Sequence, residues 1–214
     1  SLKIGYTGRG EPDGYCARRI AIPYWKNGYI YSYVARSSQA EQSPKYVKRR
    51  NDDISDRAAP WGLHTLDRTD KPLIIAEGAF DAISFYQEGY PVLATMGGHF
   101  SREQLKTVLA AAQNYSCVYL TFDADGPGTE FTLELAKILF SKHIEFRIAG
   151  INRPCKDVSD YYTAGGSLQE LIDRAEDGLL VLCRSICDEE EFKAFAYQAA
   201  NYLDTPEISK LFRM

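Results

Sequence analysis

Between residues 73 and 149, short apolar runs alternate with stretches of helical periodicity. No other feature limits the fold of this chain so strongly. Runs at 73–76, 91–94, 117–122 and 144–149 have the length of buried strands. The stretches between them repeat apolar residues every three to four positions, and Phe131, Leu135, Ile138 and Leu139 share one face. The spacing predicts helices over 79–88, from Ser101 (a capping box with Gln104) to about 112, and from Gly128 or Thr129 to about 142. Strands alternating with helices imply a parallel sheet, because parallel neighbours need long, right-handed crossovers. The expected fold class is therefore α/β, with a four-stranded parallel sheet flanked by helices.

The flanks read differently. Upstream, residues 19–24 and 28–36 read as two strands joined at Asn27-Gly28, a hairpin signal. Strict alternation puts Tyr29, Tyr31 and Tyr33 on one face and Ile30, Ser32 and Val34 on the other. Residues 1–17 show no period, and residues 37–60 are polar and basic, as in a loop. After Gly150 the pattern is mostly helical. Ser167 with Glu170 opens a helix to 175, Asp188 with Glu191 opens one over 192–202, and Thr205-Pro206 starts a short last one. The expected organisation is a small, mainly β, basic subdomain over 1–72, the α/β domain over 73–166 and a helical annex over 167–214.

Net charge is −4 over 214 residues, which taken whole argues against a nucleic-acid partner. The total hides a split. Residues 1–72 carry 13 Lys and Arg against 8 Asp and Glu, a net of +5; residues 73–214 carry 12 against 21, a net of −9. Such asymmetry points to a nucleic-acid or membrane surface on the basic side. No apolar run approaches the ~18 residues of a membrane span, and the polar start, residues 1–10, has no apolar leader core. Five scattered cysteines suit a reducing, cytoplasmic setting better than a disulfide framework. None forms a C-x-x-C pair, so no zinc is expected. Cys183 and Cys187, four apart, read as one face of a core helix.

Ligands of a parallel α/β sheet bind at the carboxyl ends of its strands, and the acidic residues fall there. Glu77 follows the first strand, Asp123 and Asp125 follow the third, and Asp157 and Asp160 follow the fourth after a short loop. Carboxylates two residues apart repel unless a cation lies between them, and magnesium favours such oxygen donors. Taken singly, each has a plainer reading: Glu77 as a helix cap, Asp123-x-Asp125-Gly as a common turn, and Asp157 and Asp160 as first-turn residues favoured by the helix dipole.

These residues resemble the TOPRIM domain of bacterial primases, topoisomerases, OLD-type nucleases and RecR-type repair proteins. The family's strand ending in Glu-Gly matches Leu73-Ile74-Ile75-Ala76-Glu77-Gly78, and its Asp-x-Asp matches Asp123-Ala124-Asp125. Finer features resemble bacterial DnaG-type and phage or plasmid primases: Glu77 to Asp81 as Glu-Gly-x-x-Asp, Ala94-Thr95-Met96-Gly97-Gly98 as a strand end and turn, and Lys156-Asp157-Val158-Ser159-Asp160 as a third acidic motif. Upstream, Arg19-Ile20-Ala21-Ile22-Pro23, Arg36, Pro44-Lys45-Tyr46 and Trp61-Gly62-Leu63 resemble the primase basic subdomain. Two departures stand out: Ser159 replaces a frequent second Asp, and Lys48-Arg49-Arg50 replaces Asn-Ser-Pro.

The resemblance implies a DNA primase catalytic core that makes RNA primers on single-stranded DNA from nucleoside triphosphates with Mg2+ or Mn2+. It implies metal ligands Asp123, Asp125 and Asp157, with Glu77 a further ligand or general acid/base and Asp81 orienting the site. Arg19, Arg36, Lys45, Lys48, Arg49 and Arg50 would grip phosphates, and a replicative helicase is a candidate partner of the C-terminal helices. The tyrosine face suits either base stacking or packing on the next subdomain. The other readings are a TOPRIM nuclease, a non-catalytic RecR-like nucleic-acid-binding scaffold, and a haloacid-dehalogenase-type phosphatase. The last rests on Asp123-Ala124-Asp125-Gly126 and leaves Glu77 and the basic segment unexplained.

Overall fold

The structure, a computed structural model, describes residues 2–8, 17–26, 28–48, 59–66, 70–96, 100–123, 125–151 and 154–200. The chain divides into two compact units, residues 1–71 with 76–111 and residues 72–75 with 112–214.

The first unit begins with an antiparallel sheet of β1 (Gly5–Thr7), β2 (Arg19–Lys26), β3 (Tyr29–Ser37) and β4 (Tyr46–Lys48), in that order. β2 and β3 are the expected pair. β1 and β4 fall in segments read as aperiodic, because three-residue strands are too short to show a period. Register pairs Ile22 with Val34, both buried. The expected tyrosine face is broken by a register shift between Tyr24 and Trp25: Ser32 pairs Tyr24, Ile30 pairs Trp25, and Tyr31 is left over as a bulge. Tyr31 lies edge-on to Tyr24 at 5.8 Å, whereas Tyr33, across from Pro23, packs on Ala35 and Val47. Tyr29 remains exposed.

Trp61 anchors the segment that follows. Its indole N–H donates to the Pro23 carbonyl at 3.1 Å, and its backbone bridges Ala94. Gly62 opens the 3₁₀ turn Leu63–Thr65 at φ 102°, where a Cβ would stand 1.9 Å from the Val92 carbonyl oxygen, so only glycine fits. β5 (Leu73–Ala76), buried at all four residues and counted with the second unit up to Ile75, is followed in the first unit by α1 (Ala79–Gln87), β6 (Val92–Ala94) and α2 (Arg102–Ala112). The expected capping box of α2 is present in both directions: the Ser101 N–H donates to Gln104 and the Gln104 N–H to Ser101.

The second unit carries β7 (Val118–Thr121), α3 (Gly126–Ser141), β8 (Phe146–Ile148), α4 (Val158–Thr163), α5 (Leu168–Asp173), β9 (Glu176–Asp177), α6 (Gly178–Ser185) and α7 (Glu189–Ala200). The strand order is β6-β5-β7-β8-β9. This is the expected α/β sheet with one addition. β7 and β8 run parallel, and the two-residue β9 adds an antiparallel edge, with Arg147 opposite Asp177. α6 packs on α3 and β8. It starts at Gly178, where a Cβ would meet the Phe146 ring at 2.2 Å.

Helix α3 begins two residues before the expected Gly128, with Pro127 in its first turn, because Asp125 is its cap. Cys183 and Cys187 do not share a helix face: Cys183 is buried in α6, and Cys187 lies exposed beyond its end. α7 is described as far as Ala200; the rest of the helix expected over 192–202 and the one expected at Thr205-Pro206 lie outside the described residues, as does Asn27. Among the described residues, no helix is long and apolar enough to cross a membrane.

Candidate active site

Glu77 and Asp81 belong to the first unit. β5 ends at Ala76, Glu77 and Gly78 form the turn, and α1 starts at Ala79. Asp81 is buried, and its Oδ2 accepts the Gly78 N–H at 3.1 Å. This satisfies one of the N–H groups that every helix start leaves over. It also explains the glycine, since a Cβ at 78 would sit 2.5 Å from that same oxygen. Glu77 itself is half-buried.

Asp123, Asp125 and Asp157 belong to the second unit. Thr121 Oγ1 donates to the Ile75 carbonyl at 3.3 Å, so β5 and β7 lie side by side here. The chain leaves β7 through Phe122, held edge-on to Phe131 of α3 at 4.8 Å. Asp125 Oδ1 then accepts the Gly128 N–H at 2.9 Å, and the Asp125 carbonyl accepts from the Thr129 N–H and hydroxyl, each at 2.9 Å. A Cβ on Gly128 would lie 2.3 Å from the Asp123 carbonyl oxygen, so the turn from Asp123 to Gly128 closes only around glycine. Asp157 caps α4 likewise, with Oδ1 accepting the Asp160 N–H at 2.8 Å. Asp125 and Asp157 thus cap their helices, each through one carboxylate oxygen of two.

The basic residues of the antiparallel sheet divide sharply. Arg19 is 2% exposed, and its Nη1 donates to the carbonyls of Pro44 (2.8 Å) and Lys45 (3.3 Å). Its guanidinium braces the β4 approach and is not presented to solvent. Arg36 lies over two rings, Phe80 of α1 at 4.4 Å and Tyr46 of β4 at 5.7 Å. That stacking brings a cation to the first turn of the helix that follows Glu77. Lys45 lies over Tyr46 at 5.9 Å and is exposed. The Lys48 side chain, Arg49 and Arg50 lie outside the described residues.

Comparison with known proteins adds to this geometry. Residues 74–162, from β5 to the end of the third acidic motif, match the family described as Toprim-like. This segment is similar to Toprim-like domains. A DNA primase of Thermotoga maritima is 27% identical over 164 residues, which cover 72% of this chain and 28% of that protein. The chain thus spans little more than a quarter of that curated relative. Among solved structures, the E. coli primase catalytic core matches with a TM-score of 0.70 at 15% identity, over 94% of this chain and 77% of that one. A DnaG primase catalytic domain bound to single-stranded DNA matches at 0.68 and 14%, over 94% and 82%. The fold of this chain is therefore that of a DnaG-type catalytic core.

The strand-end candidates are all carboxylates, the oxygen donors a hard divalent cation prefers, and at Asp125 and Asp157 a cap bond fixes the side chain through Oδ1 and leaves Oδ2 outside it. Among the described residues, no three His, Cys, Asp or Glu side chains form a group that could hold a metal ion. Gly128, Phe80 and Thr95 fall within stretches that the sequence marks, but their roles in the turn, under Arg36 and on the Glu77 carbonyl are not read from it.

Proposed function

We propose that this chain is the catalytic core of a DNA primase, extending RNA primers on a single-stranded DNA template by nucleotidyl transfer. One observation carries the reading: within the second unit, β7 leads within two residues into Asp123, and the turn that follows holds Asp125 through its bond to the Gly128 N–H. Strand-end carboxylates of an α/β sheet sit where such sheets bind ligands, and the fold is the one primase cores share. Asp123, Asp125 and Asp157 are the proposed ligands of Mg2+ or Mn2+. That ion, when bound, would offset the charge of an incoming triphosphate and favour ionisation of the attacking 3′-hydroxyl. Glu77 serves as a further ligand or as the base that receives the hydroxyl proton. Asp81 holds the turn that carries Glu77.

Arg36 and Lys45, with Lys48, Arg49 and Arg50, supply the phosphate grip for the template and triphosphates. Arg19 supports this surface from below by bracing Pro44 and Lys45. In this reading residues 1–72, 73–166 and 167–214 act as basic subdomain, Toprim-like domain and helical annex. The annex is the proposed contact for a replicative helicase, and the protein works in the cytoplasm.

Template-directed primer synthesis with Mg2+ or Mn2+ tests the assignment on wild type, Asp123→Ala and Glu77→Gln. The expected outcome is primer synthesis by the wild type and a fall of about 10³-fold in Asp123→Ala. Equal product from all three removes the catalytic assignment. Metal-dependent cleavage of the template in place of synthesis moves it to the nucleases.

A further inference from the structure

The peptide unit joining Glu77 to Gly78 is held at both of its polar atoms. Its carbonyl oxygen accepts the Thr95 hydroxyl at 3.0 Å and the Met96 N–H at 3.0 Å. Its N–H donates to Asp81 Oδ2 at 3.1 Å. One residue earlier, the Ala76 carbonyl accepts the Thr95 N–H at 3.2 Å. Three groups thus converge on one peptide plane, two from the end of β6 and one from α1. The rotation of that plane sets where the Glu77 Cα–Cβ bond points.

The β6 side of this clamp is built at a cost. Met96 takes φ 61°, the left-handed region that a bulky side chain avoids. Strain of this kind persists only where surrounding contacts over-determine it, and it concentrates at functional sites. Thr95 and Met96 are both buried, at 5% and 8% exposure. Thr95 is also β-branched, so its hydroxyl is aimed by a stiff χ1. A buried hydroxyl needs an acceptor; here the acceptor is the carbonyl of the one carboxylate residue on this turn.

We propose that Thr95 and Met96 are positioning residues for the Glu77 carboxylate, acting through its backbone carbonyl. Thr95 supplies a side-chain donor and Met96, in a strained backbone conformation, a main-chain donor. Together with Asp81 they fix the direction from which Glu77 enters the reaction. This rests on the reading of Glu77 as part of a primase site.

The test compares wild type, Thr95→Val, Thr95→Ser, Glu77→Gln and the double variant Thr95→Val/Glu77→Gln. Valine keeps the shape of threonine and deletes the hydroxyl. Thr95→Val is expected to lower kcat for primer synthesis about tenfold, as a small misplacement of a reacting group does. KM for nucleotide should stay unchanged, and Thr95→Ser should restore kcat. In the Glu77→Gln background the same valine should cost nothing further, since the group it positions is already gone. An equal tenfold loss in both backgrounds overturns the proposal, because the effect would then bypass Glu77. Amide hydrogen exchange at Gly78 and Met96 supplies a readout independent of activity, and Thr95→Val should speed both. If Glu77→Gln is as active as wild type, or the wild type makes no primers, the primase reading of Glu77 fails by itself. Unchanged exchange at both amides in Thr95→Val overturns the clamp whatever the activity.

Discussion

The two sheets of this molecule hold their charged side chains by opposite means. In the α/β part, Asp81, Asp125 and Asp157 each bind a backbone N–H three residues away, at the start of α1, α3 and α4. These bonds are local, and the positive end of each helix favours the charge. In the antiparallel sheet, Arg19 reaches carbonyls 25 and 26 residues away, and Arg36 lies against rings of β4 and α1. These placements exist only once the strands and α1 have packed. The lesson is that carboxylate direction is built into helix starts, as the proposed metal site would need. Cation direction depends on tertiary packing, which suits a phosphate grip tolerant of small shifts.

The comparison breaks first at Asp125, where cap and proposed ligand coincide. Asp125→Asn keeps the Oδ1 acceptor and removes the charge. It should lose about 10²-fold or more of primer synthesis while thermal stability stays nearly unchanged. Asp125→Ala should lose the same activity and in addition about 1 kcal/mol of stability, read by chemical denaturation. Equal stability of the two variants would show that the cap bond contributes little.

The two arginines sharpen the other side. Arg19→Met, which removes the buried guanidinium and its bonds to the Pro44 and Lys45 carbonyls, should cost about 2 kcal/mol of stability. It should leave the salt dependence of single-stranded DNA binding as it was. Arg36→Gln should cost about 1 kcal/mol through the lost stacking and reduce the salt slope by about 0.7, one phosphate contact. A changed slope in Arg19→Met would place its guanidinium on the nucleic acid after all.

The smallest effect concerns thiols. Burial, with Glu145 adding to it, pushes Cys117 up from 9.0 to about 12, whereas Cys187 is exposed. At pH 8, iodoacetamide should label Cys187 about 10³-fold faster than Cys117, as peptide mapping would read. Because the folded state keeps the Cys117 proton, its contribution to stability is whole below pH 9 and falls away as pH rises towards 12. Cys117→Ala should flatten that part of an alkaline denaturation curve.

Much of this was legible before any coordinates. The four apolar runs became β5, β6, β7 and β8, because a buried strand must be apolar throughout and short. Ser101, Ser167 and Asp188 open helices where their spacing says they should, since capping is a matter of three or four residues. The strand-end positions of Glu77, Asp123 and Asp125 follow from the same local logic. The short strands β1, β4 and β9 were not legible, because two or three residues carry no period and pair only when a neighbour offers an edge.

The sequence by itself thus determined the α/β alternation, the helix starts and the carboxylates they orient, all of which arise from interactions within a few residues. Only the tertiary structure decided that Tyr31 bulges out of the tyrosine face, that Arg19 is buried while Arg36 stacks on Phe80, and that Thr95 and Met96 grip the Glu77 carbonyl. Apart from the bulge, which lies within one hairpin, each of these joins residues far apart in the chain. Their geometry is set by sheet register and by burial, and no local pattern encodes either.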